Sequence, residues 1–365
     1  MAAPPRLIFA IPLAAPPRLI FAIPAGWGRL IALALMALLG ACSRADPAVV
    51  GGRVSASGRP PPRTGDTDYV LVGAKGATAF AAPPGQPVGA TGTRLDRGFG
   101  FMATGEKTVG GRRYLQLLDG RWLAADDVER VRPSTFAGAM LRPGERLRVA
   151  WVTAPAATVL SAADASASAL GTRPYHAVIV LAGPCARGFC PLALGWVRAT
   201  ELAVPSLAAR PGEVGPLEPW IDVDLASQTL VAYQGDEPRF ATLVSTGIGS
   251  PGSPLATPVG TFRVRSKHAV VRMDNLEHTG VDFYAYDVPL TQYFKDGKAL
   301  HAAPWHDQFG RARSHGCVNL SPRDAAWLFG FTSPPLAPAA PEIVSTPAHP
   351  GTVVRVRGQL TSAPL

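Results

Sequence analysis

From Asp68 onwards the sequence is divided into short β-like runs separated by turn-forming residues. The chain has 38 Gly and 37 Pro among 365 residues, too many for a protein built from long helices. Examples of the runs are Tyr69–Val72, Arg112–Leu117, Trp220–Leu225 and Thr229–Tyr233, each of strand length. The composition, 47% hydrophobic and 17% charged, is typical of well-cored globular domains. These features predict a mainly β fold of two or three domains.

One helix is predicted in detail near the C-terminus. Ser321 supplies an N-cap, Pro322 occupies the first helical position and Asp324 the third. An apolar stretch, 325–329, forms the body, and Gly330 is expected to end the helix. Cys317 therefore lies on the segment that enters a capped helix.

Two series of short strands precede the C-terminal region. The segment Gly120–Val128 looks like the last strands of a bacterial SH3-like domain, and Gly195–Ala203 echoes it. We therefore predict SH3-like modules at 67–135 and 140–205, followed by a linker and a third domain at 218–358. Wall binding is one interpretation of the modules, and docking onto the third domain is the other.

The N-terminus has the pattern of an export signal. Arginines and no acid precede an apolar run, Leu30–Leu39, which is short for a transmembrane helix. The ending Leu39-Gly40-Ala41-Cys42 resembles a bacterial lipobox, so residues 1–42 are predicted to be a lipoprotein signal with Cys42 lipidated, and 43–66 a linker. The alternative is an ordinary cleaved signal with an incidental cysteine. Either predicts an exported protein of the periplasm or cell envelope, attached to a membrane only through a lipid anchor.

The formal net charge of +9 favours an anionic partner. Lys and Arg are scattered, and no five-residue basic run occurs, so a polyanionic wall or membrane surface fits as well as nucleic acid. We expect no nucleic-acid partner and no cofactor.

The remaining cysteines divide into a pair and a single thiol. Cys185 and Cys190 are close enough in sequence to form a disulfide in an oxidising compartment, while a zinc half-site is the alternative. Cys317 is then left unpaired, and an odd cysteine in an exported protein is a candidate reactive thiol.

The surroundings of Cys317 are those of a nucleophile. Its thiolate is the reactive form, so a neighbouring base or free backbone donors are needed, and His301 and His315 are the candidate bases. Gly316 has no side chain to obstruct an approaching carbonyl, and backbone N–H groups at Gly316 and Cys317 are candidate oxyanion donors. Asn319 is on the same side as Cys317 if the segment is extended.

These residues resemble the signature of a known family. Ser314-His315-Gly316-Cys317-Val318-Asn319, with the upstream His301, is similar to the L,D-transpeptidase catalytic domain of the YkuD type. The segments Trp220–Tyr233, Ser245–Gly247 and Thr257–Phe262 resemble further family segments in the right order. The resemblance covers roughly 218–358 and implies a YkuD-like β-sandwich with a short helix after the cysteine.

The resemblance also implies roles. Cys317 is the nucleophile, His301 its base, and His315 shapes the oxyanion side, while Ser314 and Asn319 hold the loop. The implied reaction attacks the amide before the terminal D-Ala of a peptidoglycan stem peptide and forms a thioester. The acyl group then passes to an amine, giving a 3-3 cross-link or attaching a lysine-bearing or outer-membrane protein to the wall.

Several alternatives stay open. Arg311 and Arg313 are either ligands of a stem-peptide carboxylate or solvated charges. His306 is interpreted as a packed or solvent-facing loop residue, and a zinc site from the histidines and Cys317 matches no standard spacing. An L,D-carboxypeptidase or amidase, and a non-catalytic wall-binding lipoprotein, are the competing functions.

Overall fold

The computed structural model describes residues 68–81, 94–274 and 284–359, with only the backbone at 274 and 284–286. The predicted signal, the lipobox Cys42 and the linker 43–66 lie outside the described residues. Within those residues, no helix is long and apolar enough to cross a membrane.

Strands account for most of the ordered structure, as predicted. Among the residues that the structure describes, the upstream third has seven strands: β1 (Asp68–Val72), β2 (Ala77–Thr78), β3 (Arg94–Leu95), β4 (Gly100–Val109), β5 (Arg112–Leu117), β6 (Trp122–Ala124) and β7 (Val128–Val131). The middle third has eight: β8 (Ala139–Met140), β9 (Val149–Val152), β10 (Ala156–Leu160), β11 (Ala169–Pro174), β12 (Val178–Val180), β13 (Phe189–Pro191), β14 (Trp196–Arg198) and β15 (Leu202–Ala203). The C-terminal part has ten strands and a helix: β16 (Pro219–Asp224), β17 (Thr229–Gln234), β18 (Glu237–Leu243), β19 (Gly260–Arg263), β20 (Ser266–Asp274), β21 (Tyr284–Lys295), β22 (Lys298–Ala302), β23 (Val318–Leu320), α1 (Pro322–Phe331), β24 (Glu342–Val344) and β25 (Val353–Arg357).

The first two groups of strands each have their own apolar core. In each group a strand that contains a tryptophan, β6 or β14, leads into a 3-10 turn and a further strand. The turn at Ala199–Glu201 divides the apolar run 195–203, so β14 and β15 belong to different sheets. Cys185 and Cys190 are joined by a disulfide in the middle group. The SH3-like identity of these groups and the domain boundaries remain predictions.

Two sheets enclose the main core of the C-terminal domain. One sheet has the order β19-β25-β16-β17-β18-β8, and the other contains β24-β20-β21-β22-β23. Buried side chains from both sheets meet α1 between them, including Ile221, Leu300, Val318 and Leu328. The domain is therefore a β-sandwich with one short helix after the cysteine, as predicted.

The central strand β16 is buried on both faces, and its two acids, Asp222 and Asp224, are paired with Arg355 and Arg357 of the neighbouring strand β25. Its outer face carries Trp220, which packs in a second core with Trp151 and Ala203 of the middle group. The middle group is thus packed directly on the outer face of the sandwich.

The helix begins as predicted and ends one residue later. The Ser321 hydroxyl accepts the N–H of Asp324 at 3.2 Å, and Pro322 is the first helical residue. The prediction that Gly330 ends the helix is wrong: the helix continues to Phe331 with Thr332 as C-cap. Buried Lys267 of β20 explains the extension, because its ammonium donates to the carbonyl oxygens of Phe329 at 2.6 Å and Thr332 at 2.8 Å.

Candidate active site

The adjacent parallel strands β22 and β23 bring His301 and Cys317 to one face. His301 pairs with Asn319 and Leu300 with Val318, so Cys317, one residue before β23, lies beside Ala299. Alternate residues of a strand share a face, which puts Ala299, His301, Cys317 and Asn319 on the same side. The predicted base and nucleophile are therefore offset by two residues along neighbouring strands, about 7 Å in strand rise.

His301 is held in one tautomer. Its Nδ1 donates to the carbonyl oxygen of Ala302 at 2.8 Å, and since a carbonyl only accepts, Nδ1 carries the proton. The ring is 4% exposed and packs 5.7 Å from the Trp305 ring, centroid to centroid. Burial lowers the pKa of His301 to about 4, and the Ala302 carbonyl opposes this. At neutral pH the imidazole is uncharged, with Nε2 as its acceptor.

Cys317 is a free thiol, the one cysteine of the described residues outside the disulfide. Its Sγ lies 3.9 Å from the carbonyl oxygen of Gly297, at the turn between β21 and β22. Burial raises the pKa of the thiol above its ordinary value, while the Ala299 N–H and the Lys298 charge act in the opposite direction. The resting pair is thus a thiol and a neutral imidazole.

The loop before Cys317 is closed by Ser314. The Ser314 hydroxyl donates to the carbonyl oxygen of Cys317 and accepts the N–H of Gly316 at 3.1 Å. Gly316 has φ 109°, a region that favours glycine, and a Cβ there would lie 2.8 Å from the Ala256 carbonyl oxygen. Because the Gly316 N–H is occupied within the loop, the Cys317 N–H is left as the backbone donor of this pair.

Thr257 joins three of the four sequence segments that resemble the family. Its hydroxyl donates to the carbonyl oxygen of Gly316 at 3.0 Å and accepts the N–H of Gly247 at 2.8 Å. A Cβ on Gly247 would lie 2.8 Å from the Gly316 Cα, so glycine is needed for this approach. Ser245 completes the frame by exchanging two backbone hydrogen bonds with Asn319, at 2.9 and 3.0 Å.

His306 lies at this site, although the sequence offered no signal beyond its position between His301 and Ser314. His306 Nε2 lies 3.0 Å from the side-chain amide of Asn319, and the Gln308 N–H donates to His306 Nδ1 at 3.2 Å. The neutral ring therefore carries its proton on Nε2 and donates it to the amide. Asn319 itself is 4% exposed. Burial above all, and then the nearby Arg313 and His301, lower the pKa of His306 to about 3. Neutral His306 therefore fixes the side-chain amide of Asn319.

The other predicted site residues lie around this centre. His315 is half-buried, and burial and then the Lys298 charge lower its pKa. Arg313 is exposed near His306. Arg311 contacts the middle group instead, because its guanidinium donates to the Thr153 carbonyl at 2.9 Å and stacks 5.4 Å from the Tyr175 ring centroid. No cluster of three or more metal-binding side chains occurs in 68–81, 94–274 and 284–359.

Comparison with known proteins identifies the C-terminal domain. Residues 218–356 match the YkuD family, the L,D-transpeptidase catalytic domain. L,D-transpeptidase 1 of Mycobacterium tuberculosis H37Rv is 39% identical over 90 residues, which are 22% of this chain and 35% of that protein. The putative L,D-transpeptidase YciB of Bacillus subtilis 168 is 26% identical over 120 residues, 30% of this chain and 59% of that protein. The chain thus spans about a third of the first relative and three fifths of the second.

A solved L,D-transpeptidase from Mycobacterium smegmatis is 22% identical, with a TM-score of 0.31, and the match covers 49% of this chain and 81% of that one. A complex of the L,D-transpeptidase LdtMt1 with imipenem is 20% identical, with a TM-score of 0.30, and covers 58% of this chain and 100% of that one. The family match and the curated relatives agree on one assignment. Residues 218–356 belong to the YkuD family of L,D-transpeptidase catalytic domains.

Proposed function

We propose that this protein is a peptidoglycan L,D-transpeptidase that acts through a thioester on Cys317. The observation that carries the proposal is the pairing of β22 with β23, which sets a free thiol and a neutral, tautomer-fixed histidine on one face. Loop contacts from Ser314 and Thr257 hold the thiol-bearing segment rigid, as a positioned nucleophile requires.

In the first half-reaction Nε2 of His301 takes the proton of the Cys317 thiol as sulfur attacks the carbonyl before the terminal D-Ala of a stem peptide. A C–S bond forms, and the carbonyl becomes a tetrahedral oxyanion. His301 then gives its proton to the departing nitrogen, so D-Ala leaves as an amine and the acyl group stays as a thioester. The low pKa of His301, about 4, makes the imidazolium a strong acid for this step.

In the second half-reaction an acceptor amine attacks the thioester. His301 removes a proton from the attacking nitrogen, the C–S bond breaks, and the proton returns to sulfur. The products are a new amide and the free thiol. With an amine of a second stem the product is a 3-3 cross-link, and with a protein lysine it is wall attachment.

The oxyanion is stabilised by backbone donors beside the sulfur. The Gly316 N–H is engaged by Ser314, so we assign the main contribution to the Cys317 N–H, with His315 shaping that side. One such donor typically contributes about 3 kcal/mol to transition-state stabilisation.

Arg313 is the arginine we propose for a stem-peptide carboxylate, because its guanidinium is exposed beside His306, whereas Arg311 is engaged by Thr153. Lipidation of Cys42 and residence in the cell envelope complete the proposal. The contacts of Arg311 with Thr153 and Tyr175 support docking onto the C-terminal domain, rather than wall binding, as the role of the module predicted at 140–205.

Intact-protein mass after brief exposure to a carbapenem tests the proposal, comparing wild type with Cys317→Ser. A stable adduct on wild type alone is expected, because a carbapenem mimics the acyl donor. Absence of an adduct, together with no alkylation of Cys317 by iodoacetamide, would exclude a reactive nucleophile and favour the wall-binding alternative.

Products from purified muropeptides then distinguish transfer from hydrolysis. Dimers together with released D-Ala are expected. Trimmed stems without any dimer would replace the transpeptidase proposal by an L,D-carboxypeptidase.

A further inference from the structure

Lys298 is the charged side chain that contacts the backbone of the nucleophile loop. Its Nζ donates to the carbonyl oxygen of His315 at 2.9 Å and to that of Pro254 at 2.6 Å. These two carbonyls belong to different loops, one leading into Cys317 and one leading into Thr257. The ammonium therefore joins both loops beside the predicted nucleophile.

The strand register explains why this lysine reaches the loop. Leu300 pairs with Val318, so Lys298, two residues before Leu300, lies beside Gly316. A Cβ on Gly316 would lie 2.7 Å from both Cε and Nζ of Lys298. The lysine stem thus occupies the space that the missing side chain of Gly316 leaves free.

The charge has consequences for the neighbouring titratable groups. Two of the three ammonium donors are used by carbonyls, which carry no formal charge, and no acid pairs with Lys298 among the described residues. The groups that face the thiol are His301 on β22 and His315 on its own loop, both with lowered pKa, while 246–257 contains no titratable side chain. Lys298 is thus the charged group that acts on the Cys317 thiol, whereas Arg313 acts on His306.

We propose that Lys298 is a positioning residue for the nucleophile: it clamps the 254–257 segment to the Cys317 loop, and its charge favours ionisation of the thiol. This inference rests on the proposed role of Cys317 as nucleophile. The clamp fixes the carbonyl groups of His315 and Pro254, and so sets the direction of the His315–Gly316 peptide, which precedes the nucleophile. The positive charge favours the thiolate that forms when His301 accepts the proton.

The test is the rate of Cys317 alkylation by iodoacetamide as a function of pH, for wild type and Lys298→Met. With the charge removed, the pH profile moves to higher pH, and the rate at pH 7 falls about threefold to tenfold. Lys298→Arg keeps the charge and is expected to remain near the wild-type profile. Lys295→Met is the matched control, since Lys295 lies on the preceding strand end and pairs with Asp296 at 2.6 Å.

Hydrogen exchange of 250–257 and 314–318 measures the clamp separately, and both segments are expected to exchange faster in Lys298→Met. If that variant does not fold, Lys298→Gln removes the charge while keeping a polar end. A folded Met or Gln variant with the wild-type profile would overturn the inference. Alkylation needs no acyl transfer, so a shifted profile without a carbapenem adduct would refute the proposed function and leave the role of Lys298 standing.

Discussion

Nδ1 of His301 lies 2.8 Å from the carbonyl oxygen of Ala302, the next residue along the same strand. This contact determines which nitrogen can act on Cys317, because the proton is committed to Nδ1 and Nε2 is left as the acceptor. Burial lowers the pKa of the ring to about 4, so the base stays neutral over the range in which most proteins are stable.

Carbapenem acylation should therefore retain its rate as pH falls from 7 to 5 and lose it only as pH approaches 4. Below that pH the imidazole binds a proton and no longer accepts one from the thiol. The acylation rate, followed by stopped flow between pH 3.5 and 8, measures this decrease at acidic pH. His301→Gln should reduce the rate about 10²- to 10⁴-fold, the usual contribution of a general base.

His349→Gln is the matched control, because His349 is exposed in the C-terminal segment. It should leave the acylation profile unchanged. A decrease in the wild-type acylation rate that is centred near pH 6.5 would contradict the buried, neutral state assigned to His301.

Gly316→Ala should abolish most acylation while leaving the chain folded. The residue has φ 109°, and the added methyl would meet Lys298 and the Ala256 carbonyl at less than 3 Å. The loop must shift to relieve these contacts, and a displacement of about 1 Å at a reacting group can reduce a rate about 10²-fold. The acylation rate and the thermal unfolding midpoint are the measurements.

Gly330→Ala provides the comparison. A Cβ at Gly330 meets no atom within 4 Å, and the residue lies inside α1. Replacement should leave the acylation rate unchanged and stabilise the fold by about 0.5–1 kcal/mol, the difference in helix propensity. Equal losses of activity in the two variants would show that the Gly316 conformation is not what limits the reaction.

Tyr175 and His176 of the middle group both donate to the carbonyl oxygen of Phe309, at 2.7 and 3.2 Å. Phe309 belongs to the segment that joins His301 to Ser314, and its ring packs 4.8 Å from that of His306, centroid to centroid. The double variant Tyr175→Phe/His176→Ala should therefore loosen this segment, and with it Asn319. We expect faster hydrogen exchange across 305–311 and acylation slower by about threefold or more, since one lost hydrogen bond corresponds to about 1 kcal/mol.

Thr172→Ala, on the exposed strand β11 nearby, is the control and should change neither quantity. Unchanged exchange at 305–311 in the double variant would mean that the Phe309 carbonyl does not depend on the middle group for its position.

Local sequence patterns were sufficient for most of the sandwich. β16 and β17 coincide with the predicted strand-length runs within one residue at each end, and Ser321 caps α1 as its sequence indicates. The long strands β20 and β21 had no such signal. They contain Lys267, Arg272 and Pro289, and Leu290 adopts φ 57°, so neither alternation nor a continuous apolar run marks them.

The site was predictable only where its residues are close in sequence. Ser314 to Asn319 form one short motif, and His301 was placed by resemblance to the family. The contacts of Lys298, Thr257 and His306 depend on which loops meet in three dimensions. Arg311 and Arg313 are two residues apart, and nothing in the sequence distinguishes them as ligands of a carboxylate. Only the fold shows that Arg311 is occupied, because it brings Thr153 and Tyr175 to that side chain.

Lys267 offers a test of stability that is separate from the chemistry. The side chain is fully buried, and its ammonium donates to the carbonyl oxygens of Phe329 and Thr332 at the end of α1. Lys267→Met removes the ammonium donor from both carbonyls, and we expect a loss of about 1–3 kcal/mol in the free energy of unfolding. Chemical denaturation at pH 7 measures it, with Lys107→Met on the exposed part of β4 as the control.

The pH dependence of the same pair of proteins gives a second expectation. Burial lowers the pKa of Lys267 to about 8, below its ordinary value of 10.5. Between these values the unfolded chain binds more protons than the folded one, so this group adds stability as pH rises through the window and loses it as pH falls through 8. The difference in unfolding free energy between wild type and Lys267→Met should therefore grow from pH 8 to 10. Parallel curves for the two proteins would show that the folded ammonium keeps its ordinary pKa, stabilised by the two carbonyls more than it is penalised by burial.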